Sequence, residues 1–470
     1  GSYIDIAAPG VNIYTTAYDD SYTSVQGTSF ASPIVAGAAA LVKAHFPAYT
    51  PQQIAEQLRV TSNSTLLKAN NPLLPDKLGY GILDIFAALT KTSPSIRASG
   101  PKLVNASGSA AGAGEKGFLT LSFKNVLAAT SSAVELSVSS VSPAVTVIKG
   151  TVKPGIIAAG STITNALTPF EIQISATVPE NFQLPLTLTY KDGEYLDKEV
   201  ITFTLNPTYI DVDENQVTTT VSGTARIGYE DTQNSAKGKG FVFEQNSLLY
   251  EMGIIFGTST SFLHNNVRGL NSAYDQDFIT IQPKIKEITP GDRSTSEIFG
   301  TVSNSATPAS QSYLMKYRSL AWKETPYDKF VIMEYIISNP TASPISNFHF
   351  GIFADWDITT NGAGDAAKWD KTMKLGYVYP AATAAKPYAG IQLLTGPAEY
   401  FAIDNSQTIP GNPFGLYDGY TDAEKFQSIS SGLGRLEAGT STPAGNDVSH
   451  VVSSGPYTIC LLYTSDAADE

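Results

Sequence analysis

Apolar and polar positions alternate with a period of two over much of this chain. Gly117-Phe118-Leu119-Thr120-Leu121-Ser122-Phe123, Val134-Glu135-Leu136-Ser137-Val138 and Phe170-Glu171-Ile172-Gln173-Ile174 each segregate the two kinds of side chain onto opposite faces, as half-buried strands do. Phe330 to Ile337, closed by Asn339-Pro340, reads as another strand running into a turn. In Asn347 to Asp357, the residues Phe348, Phe350, Ile352, Ala354 and Trp356 share one face, which places Asp355 and Asp357 together on the other. The stretch 1–92 has a different rhythm. Ala36, Gly37, Ala38, Ala39 and Ala40 predict a helix of small residues, packed tightly and buried on most sides. Thr50-Pro51-Gln52-Gln53 is a capping box with Pro at the first helical position, opening a helix to about Arg59. Leu78-Gly79-Tyr80-Gly81 then reads as a turn, and Ile82 to Leu89 as a third helix.

Two polar, Pro-containing stretches divide these regions. Lys91-Thr92-Ser93-Pro94-Ser95 separates 1–92 from a strand-rich region 95–206, and Asn206-Pro207 opens a longer, aromatic-rich β region 208–459. Asp211, Asp213 and Glu214 fall just after the second division and read as a polar linker end. The fold class expected is α/β followed by all-β sandwich domains. Residues 95–206 have the short strands and Gly, Pro, Asn and Ser turns of an immunoglobulin-like or fibronectin-like sandwich. A length of 470 residues suits two to four such domains.

Composition narrows the function classes. Charged residues make up 16% of the chain and the net charge is −13, so no basic face for nucleic acid is expected. No apolar run is long enough to span a membrane. The single cysteine, Cys460, provides no disulfide framework.

The chemistry-bearing stretch is Gly27-Thr28-Ser29-Phe30-Ala31-Ser32-Pro33, continuing into Ile34-Val35-Ala36-Gly37. Gly27 permits a tight turn and close approach of a substrate. Ser29 then opens a helix, whose free N–H groups and dipole favour developing negative charge. Pro33 is expected within a first helical turn, where its missing N–H costs little. The stretch resembles the nucleophile segment of the subtilisin-like serine peptidases, with the pattern G-T-S-x-A-x-P-x-V-A-G matched without a gap. Ile4-Asp5-Ile6-Ala7-Ala8-Pro9-Gly10 is similar to the strand and loop preceding that segment, and the resemblance covers roughly residues 1–92. It implies that Ser29 is the nucleophile and that Gly27, Thr28 and Ser29 contact substrate. The N–H of Ser29 is one oxyanion donor on this reading, and the chemistry requires no cofactor. Asp5 is more readily a structural strand residue than the triad acid, because the family places the acid far upstream.

A serine nucleophile needs a base. His45 lies sixteen residues beyond Ser29 on the same predicted helix, out of reach, and His264, His349 and His450 fall in β-rich segments as surface or structural residues. Before Ser29 there is no Asp-Ser-Gly or Asp-Thr-Gly, no His-Gly-Thr-His-like segment and no oxyanion asparagine segment. Cys460 to Glu470 resembles the translation of a transposon-end adapter and stands apart from fold reasoning. It carries three acidic and no basic residues, leaving −10 for the rest. The expectation is a fragment cut at both ends, silent by itself, with the base and acid supplied by sequence upstream.

In the last region, Asp355, Asp357, Asn361 and Asp365 offer oxygen ligands at short spacing, so structural calcium is an expectation, without the spacing of an EF-hand. Gly351-Ile352-Phe353-Ala354-Asp355-Trp356-Asp357 and Asn266-Val267-Arg268-Gly269 resemble, more loosely, the C-terminal β-domains of large secreted subtilisin-like peptidases of Bacteroidetes-type bacteria. The resemblances imply a secreted or cell-surface serine endopeptidase acting on peptide or protein substrates. Its β-domains would contact a cell surface or glycan, or space the enzyme from it. The alternative is a non-catalytic extracellular binding protein carrying a relic peptidase segment.

Overall fold

The computed structural model describes residues 4–65, 69, 71, 73, 78–230, 237–270, 273–304, 313–341, 343–383 and 387–460. The chain divides into two compact units, Gly1–Leu205 and Asn206–Glu470.

The first unit starts with a hairpin, Ile13–Thr16 against Tyr22–Val25, whose Tyr14 and Tyr22 rings stack in solvent. Helix α1 follows at Thr28–His45 and helix α2 at Pro51–Val60. The α2 capping box forms as its sequence predicts, with Thr50 and Gln53 each capping the other's backbone N–H. The third helix is shorter than its pattern suggests. It spans Ile85–Thr90 with Asp84 as N-cap, because Ile82 is drawn into strand-like bridges with Ala7 and Asn63. Contrary to the expectation of a buried α1, only Ala38 and Val42 of that helix are buried. Leu41 is half exposed, and a Cβ added to Gly37 would touch nothing within 4 Å. Among the described residues no sheet covers those faces of α1. Its apolar core rests on Ala38, Val42, Leu58 and Ala88.

From Ser95 the chain builds two antiparallel sheets. One runs in the order Ile96–Val104, Lys116–Asn125, Phe170–Ile174, Val145–Lys149. The other runs Tyr195–Leu205, Phe182–Asp192, Glu135–Ser139, Thr151–Val152. The alternating residues seen in sequence meet between them: Leu119, Leu121, Phe123, Leu136, Val138, Phe170, Ile172 and Ile174 share one core with Leu184, Leu186 and Leu188. The stretch 91–95 runs directly into this body. Ser95 is fully buried, and its hydroxyl donates to Glu56 of α2.

The second unit is organised by a six-stranded sheet, in the order Phe262–Asn265, Leu249–Ser259, Ile345–Trp356, Val448–Ile459, Glu399–Asp404, Leu433–Arg435. Ile345–Trp356 is central, so both its faces are covered. Phe348 packs into one cluster under the four-stranded sheet that begins with Phe278–Ile288. Ala354 and Trp356 enter a second cluster beside it, and Phe353 on the opposite face packs near the helix Asp422–Ser430. Asp211 is not a linker residue: it lies in the strand Tyr209–Val212 and accepts a hydrogen bond from Thr220.

These contacts make α2 dependent on the two sheets after it. Residues 1–92 expressed alone should therefore lack a cooperative thermal transition by circular dichroism, whereas residues 1–205 should melt in one cooperative step.

Candidate functional site

Ser29 is the second residue of α1 and is exposed to solvent. The turn before it depends on two glycines. Gly27, the N-cap, has φ 142°, a conformation that side chains disfavour. Its N–H donates to the Gly10 carbonyl at 2.7 Å, and a Cβ on Gly10 would lie 3.0 Å from the Gly27 oxygen. The two backbones touch, and this contact fixes where the helix starts. The Phe30 N–H then turns back to the Gly27 carbonyl at 3.1 Å. Thr28 and Ser29 follow as the first helical residues, where backbone N–H groups have no partner within the helix. Pro33 is the sixth helical residue, past the first turn where its sequence position suggested it would fall. Lacking an N–H, it leaves the Ser29 carbonyl without the helical partner four residues on.

Among the described residues nothing completes a triad. His45 ends α1 at roughly 24 Å along the helix axis from Ser29. Asp5 is exposed, and its backbone carbonyl accepts the Tyr80 N–H. The other three histidines are buried in the second unit, not on its surface. Burial holds His264 down to about 4 and His450 down to about 3. Nε2 of His450 accepts from Trp356 at 3.0 Å, and Nδ1 of His349 lies 2.7 Å from Glu399. These are core residues held by their neighbours.

The second cluster of chemistry lies where the central strand ends. Asp355, Asp357 and Asp447 bring carboxylate oxygens within 4.8 Å of one another. Asp355 and Asp357 do meet, as their alternation predicts, but the third member is Asp447. The remaining sequence candidates stand aside. Asn361 is exposed in a left-handed conformation at φ 54°. Asp365 is fully buried, with its carboxylate occupied by the N–H groups of Ile358 and Thr359 at 2.9 and 3.0 Å. Asp447 had no signal in the sequence, because its proximity comes from pairing of distant segments: Asn405 donates its backbone N–H to the main-chain carbonyl of Asp447 at 2.9 Å and its side-chain amide to the Asp447 carboxylate at 2.6 Å. Tyr417 donates to the other carboxylate oxygen of Asp447 at 2.7 Å. Arg268 reaches Asp355 with one nitrogen and Glu251 with another, and Asn405 also donates to Asp355. Gly362, at φ 65°, completes the wall, since a Cβ there would sit 2.6 Å from Asp357 and 3.2 Å from Asp447.

Crowding of carboxylates shows in their proton affinity. Burial, then the charges of Asp355, Asp447 and Asp365, push Asp357 up to about 7. Burial likewise raises Asp365 to about 6, against the pull of its backbone donors. Asp355 is raised by burial too, although Arg268 opposes it. Oxygen-only donors at this separation match a hard cation, whose ligand oxygens stand about 2.3–2.6 Å from calcium.

Comparison with known proteins bears on the N-terminal part. The Subtilase family model matches residues 1–81. A thermostable alkaline protease of Halalkalibacterium halodurans is 48% identical over 62 residues, 13% of this chain and 17% of that protein. Subtilisin DY of Bacillus licheniformis is 42% identical over 64 residues, 14% of this chain and 23% of its own length. Subtilisin Savinase of Lederbergia lenta is 48% identical over 64 residues, 14% of this chain and 24% of that protein. The chain thus spans about a fifth of the length of these curated relatives. A crystal structure of native alpha-2-macroglobulin from Escherichia coli overlaps 36% of this chain and 24% of its own, at 10% identity and a TM-score of 0.16, too slight an overlap to define a common fold.

The raised carboxylates set a pH dependence. A folded-state value above the unfolded one means that the native state binds more protons between the two, so stability falls as pH rises. For Asp357 this contribution is complete below 3.8 and is lost as pH climbs through about 7. With a chelator present, the thermal midpoint of the second unit should fall across that window, and Asp357→Asn should flatten the decline in a calorimetric pH series.

Proposed function

Residues 1–81 are a subtilisin-like segment, and from that premise we propose that the chain is part of a serine endopeptidase that cleaves peptide bonds through an acyl-enzyme on Ser29. The observation that carries this is the placement of Ser29, exposed in the first turn of α1 behind a glycine N-cap, inside the matched span. A base outside this chain takes the Ser29 proton, the hydroxyl oxygen attacks the substrate carbonyl, and the Ser29 N–H receives the oxyanion. The same base then protonates the leaving amine, and water releases the acyl group. The uncovered apolar faces of α1 support this reading, since such a helix is stable only with further structure packed against it. The substrates are peptides or proteins, and the enzyme works outside the cell. The β-rich units space the enzyme or present its substrate.

We also propose that calcium occupies the Asp355, Asp357 and Asp447 group as a structural ion. Three carboxylates at ligand spacing, with Asp357 raised by burial and then by its acidic neighbours, support that reading. Bound cation would offset the repulsion and hold the end of the central strand against the segment carrying Asp447.

The 470-residue chain should not react with a fluorophosphonate probe, because loss of the base costs orders of magnitude in rate. The chain joined to its upstream coding sequence should react, and Ser29→Ala should abolish the labelling. Labelling absent from that longer form would sink the peptidase reading. For the cation, calcium at a hundredfold excess over its Kd should stabilise the chain by about 2.7 kcal/mol, read as a rise in melting midpoint. Asp357→Ala and Asp447→Ala should each remove the rise, and an unresponsive midpoint in the parent chain overturns the site.

A further inference from the structure

Helix α2 belongs to the peptidase-like segment, yet its polar side chains are spent on the two sheets that follow. Glu56 and Arg59 are both buried, as is Asp197 of the strand Tyr195–Leu205. Arg59 grips Asp197 with both terminal nitrogens, at 3.0 and 2.5 Å, and gives its Nε to Glu56 at 2.9 Å. Glu56 in turn takes Arg97 at 2.8 Å and the Ser95 hydroxyl at 2.6 Å. Arg97 continues to Glu199 at 3.0 Å. Five charges are thus tied across α2 and one strand from each sheet. A buried network of this kind gives little net stability compared with apolar packing, but it tolerates only one geometry.

That geometry is passed on through Tyr80. The Arg59 guanidinium lies over the Tyr80 ring, 4.8 Å from its centre. The Tyr80 hydroxyl donates to the carbonyl of Leu196, the residue before Asp197. On its other side the Tyr80 N–H donates to the Asp5 carbonyl at 2.7 Å. Gly79, at φ 85°, lies so close to Asp5 that a Cβ would fall 2.8 Å from its oxygen. Ala7 is bonded to Gly81 and Leu83 at 2.9 and 2.8 Å. Three residues further, Gly10 takes the Gly27 N–H, and Gly27 sets the first turn that holds Ser29.

We propose that the two-sheet body is a positioning element for Ser29, with Tyr80 as the positioning residue through which Arg59 and Asp197 act. This rests on the reading of Ser29 as the nucleophile, but the coupling itself can be measured without any hydrolysis. The β body would then be part of the working enzyme, and this protein cut off before Ser95 would have a loosened nucleophile turn.

Hydrogen exchange of the full chain, followed residue by residue, tests it. Tyr80→Phe keeps the ring against Arg59 and removes only the bond to Leu196. Exchange at the Gly27 amide should rise about tenfold, the scale of one lost hydrogen bond, while Leu188 and Phe170 in the core strands keep their protection. The paired change Arg59→Met with Asp197→Leu removes both charges together and should loosen Gly27 in the same selective way. If the paired variant does not fold, Tyr80→Phe alone decides. Unchanged Gly27 exchange overturns the proposal, and so does a uniform acceleration at Gly27, Leu188 and Phe170, which would mark a merely structural loss. Failure of fluorophosphonate labelling in the longer protein would instead remove the nucleophile and leave the measured coupling standing.

Discussion

A guanidinium withdrawn from water has to be matched by oxygens in its own plane, and this demand organises both units. Arg59 answers it in the first unit with Asp197 and Glu56. Arg268 answers it in the second with Glu251 and Asp355, and its guanidinium lies near the rings of Tyr250 and Phe353. In each case one of the acids, Asp197 or Asp355, comes from a strand distant in sequence, so the full pairing can form only once the sheets have their final register. Removing one partner would leave a buried charge uncompensated, which costs far more than the pair contributes. The strands around each arginine are therefore held to one arrangement by an electrostatic requirement that apolar packing alone does not impose.

The second arginine also explains why the acidic group in its neighbourhood is only partly neutralised. Arg268 spends its charge on Glu251 and one oxygen of Asp355, so Asp357 and Asp447 are left facing each other. Burial is the first cause of the raised Asp357, and the charges of Asp355 and Asp447 add to it. The first unit balances its network more closely: Glu56 is held below its ordinary value, because Arg59, Ser95 and Arg97 together outweigh the burial that raises it.

Short-range features were legible in the sequence and long-range ones were not. The capping box at Thr50, the strands around Leu119 and Ile172, and the shared face of Phe348 to Trp356 follow from spacing alone, because periodicity reports which side of an element is buried. The third helix starts later than its pattern because tertiary bridges at Ile82 override the helical periodicity. The burial of α1 departs from its pattern because a run of small apolar residues states what a helix can pack against, while the partner has to come from elsewhere. Arg59 and Asp197 are 138 residues apart, and Asp355 and Asp447 come together where the strand of Asp355 pairs with Val448–Ile459. No local pattern marks such encounters. Ser29 stood out because its neighbours are dictated by the backbone of one turn, which is local.

The contact between Gly10 and Gly27 has a further consequence for how this protein could change over time. Their hydrogen bond closes a neck, and the hairpin Ile13–Thr16 and Tyr22–Val25 hangs from it as a solvent-exposed lobe. Residues can be gained or lost at the lobe's tip, Ala17 to Ser21, without altering the neck. Length variation is thereby decoupled from the turn at Ser29. The two neck glycines, by contrast, are held for different reasons: a side chain at Gly10 would press on the Gly27 carbonyl, and one at Gly27 would be strained by its φ of 142°, so neither position drifts freely.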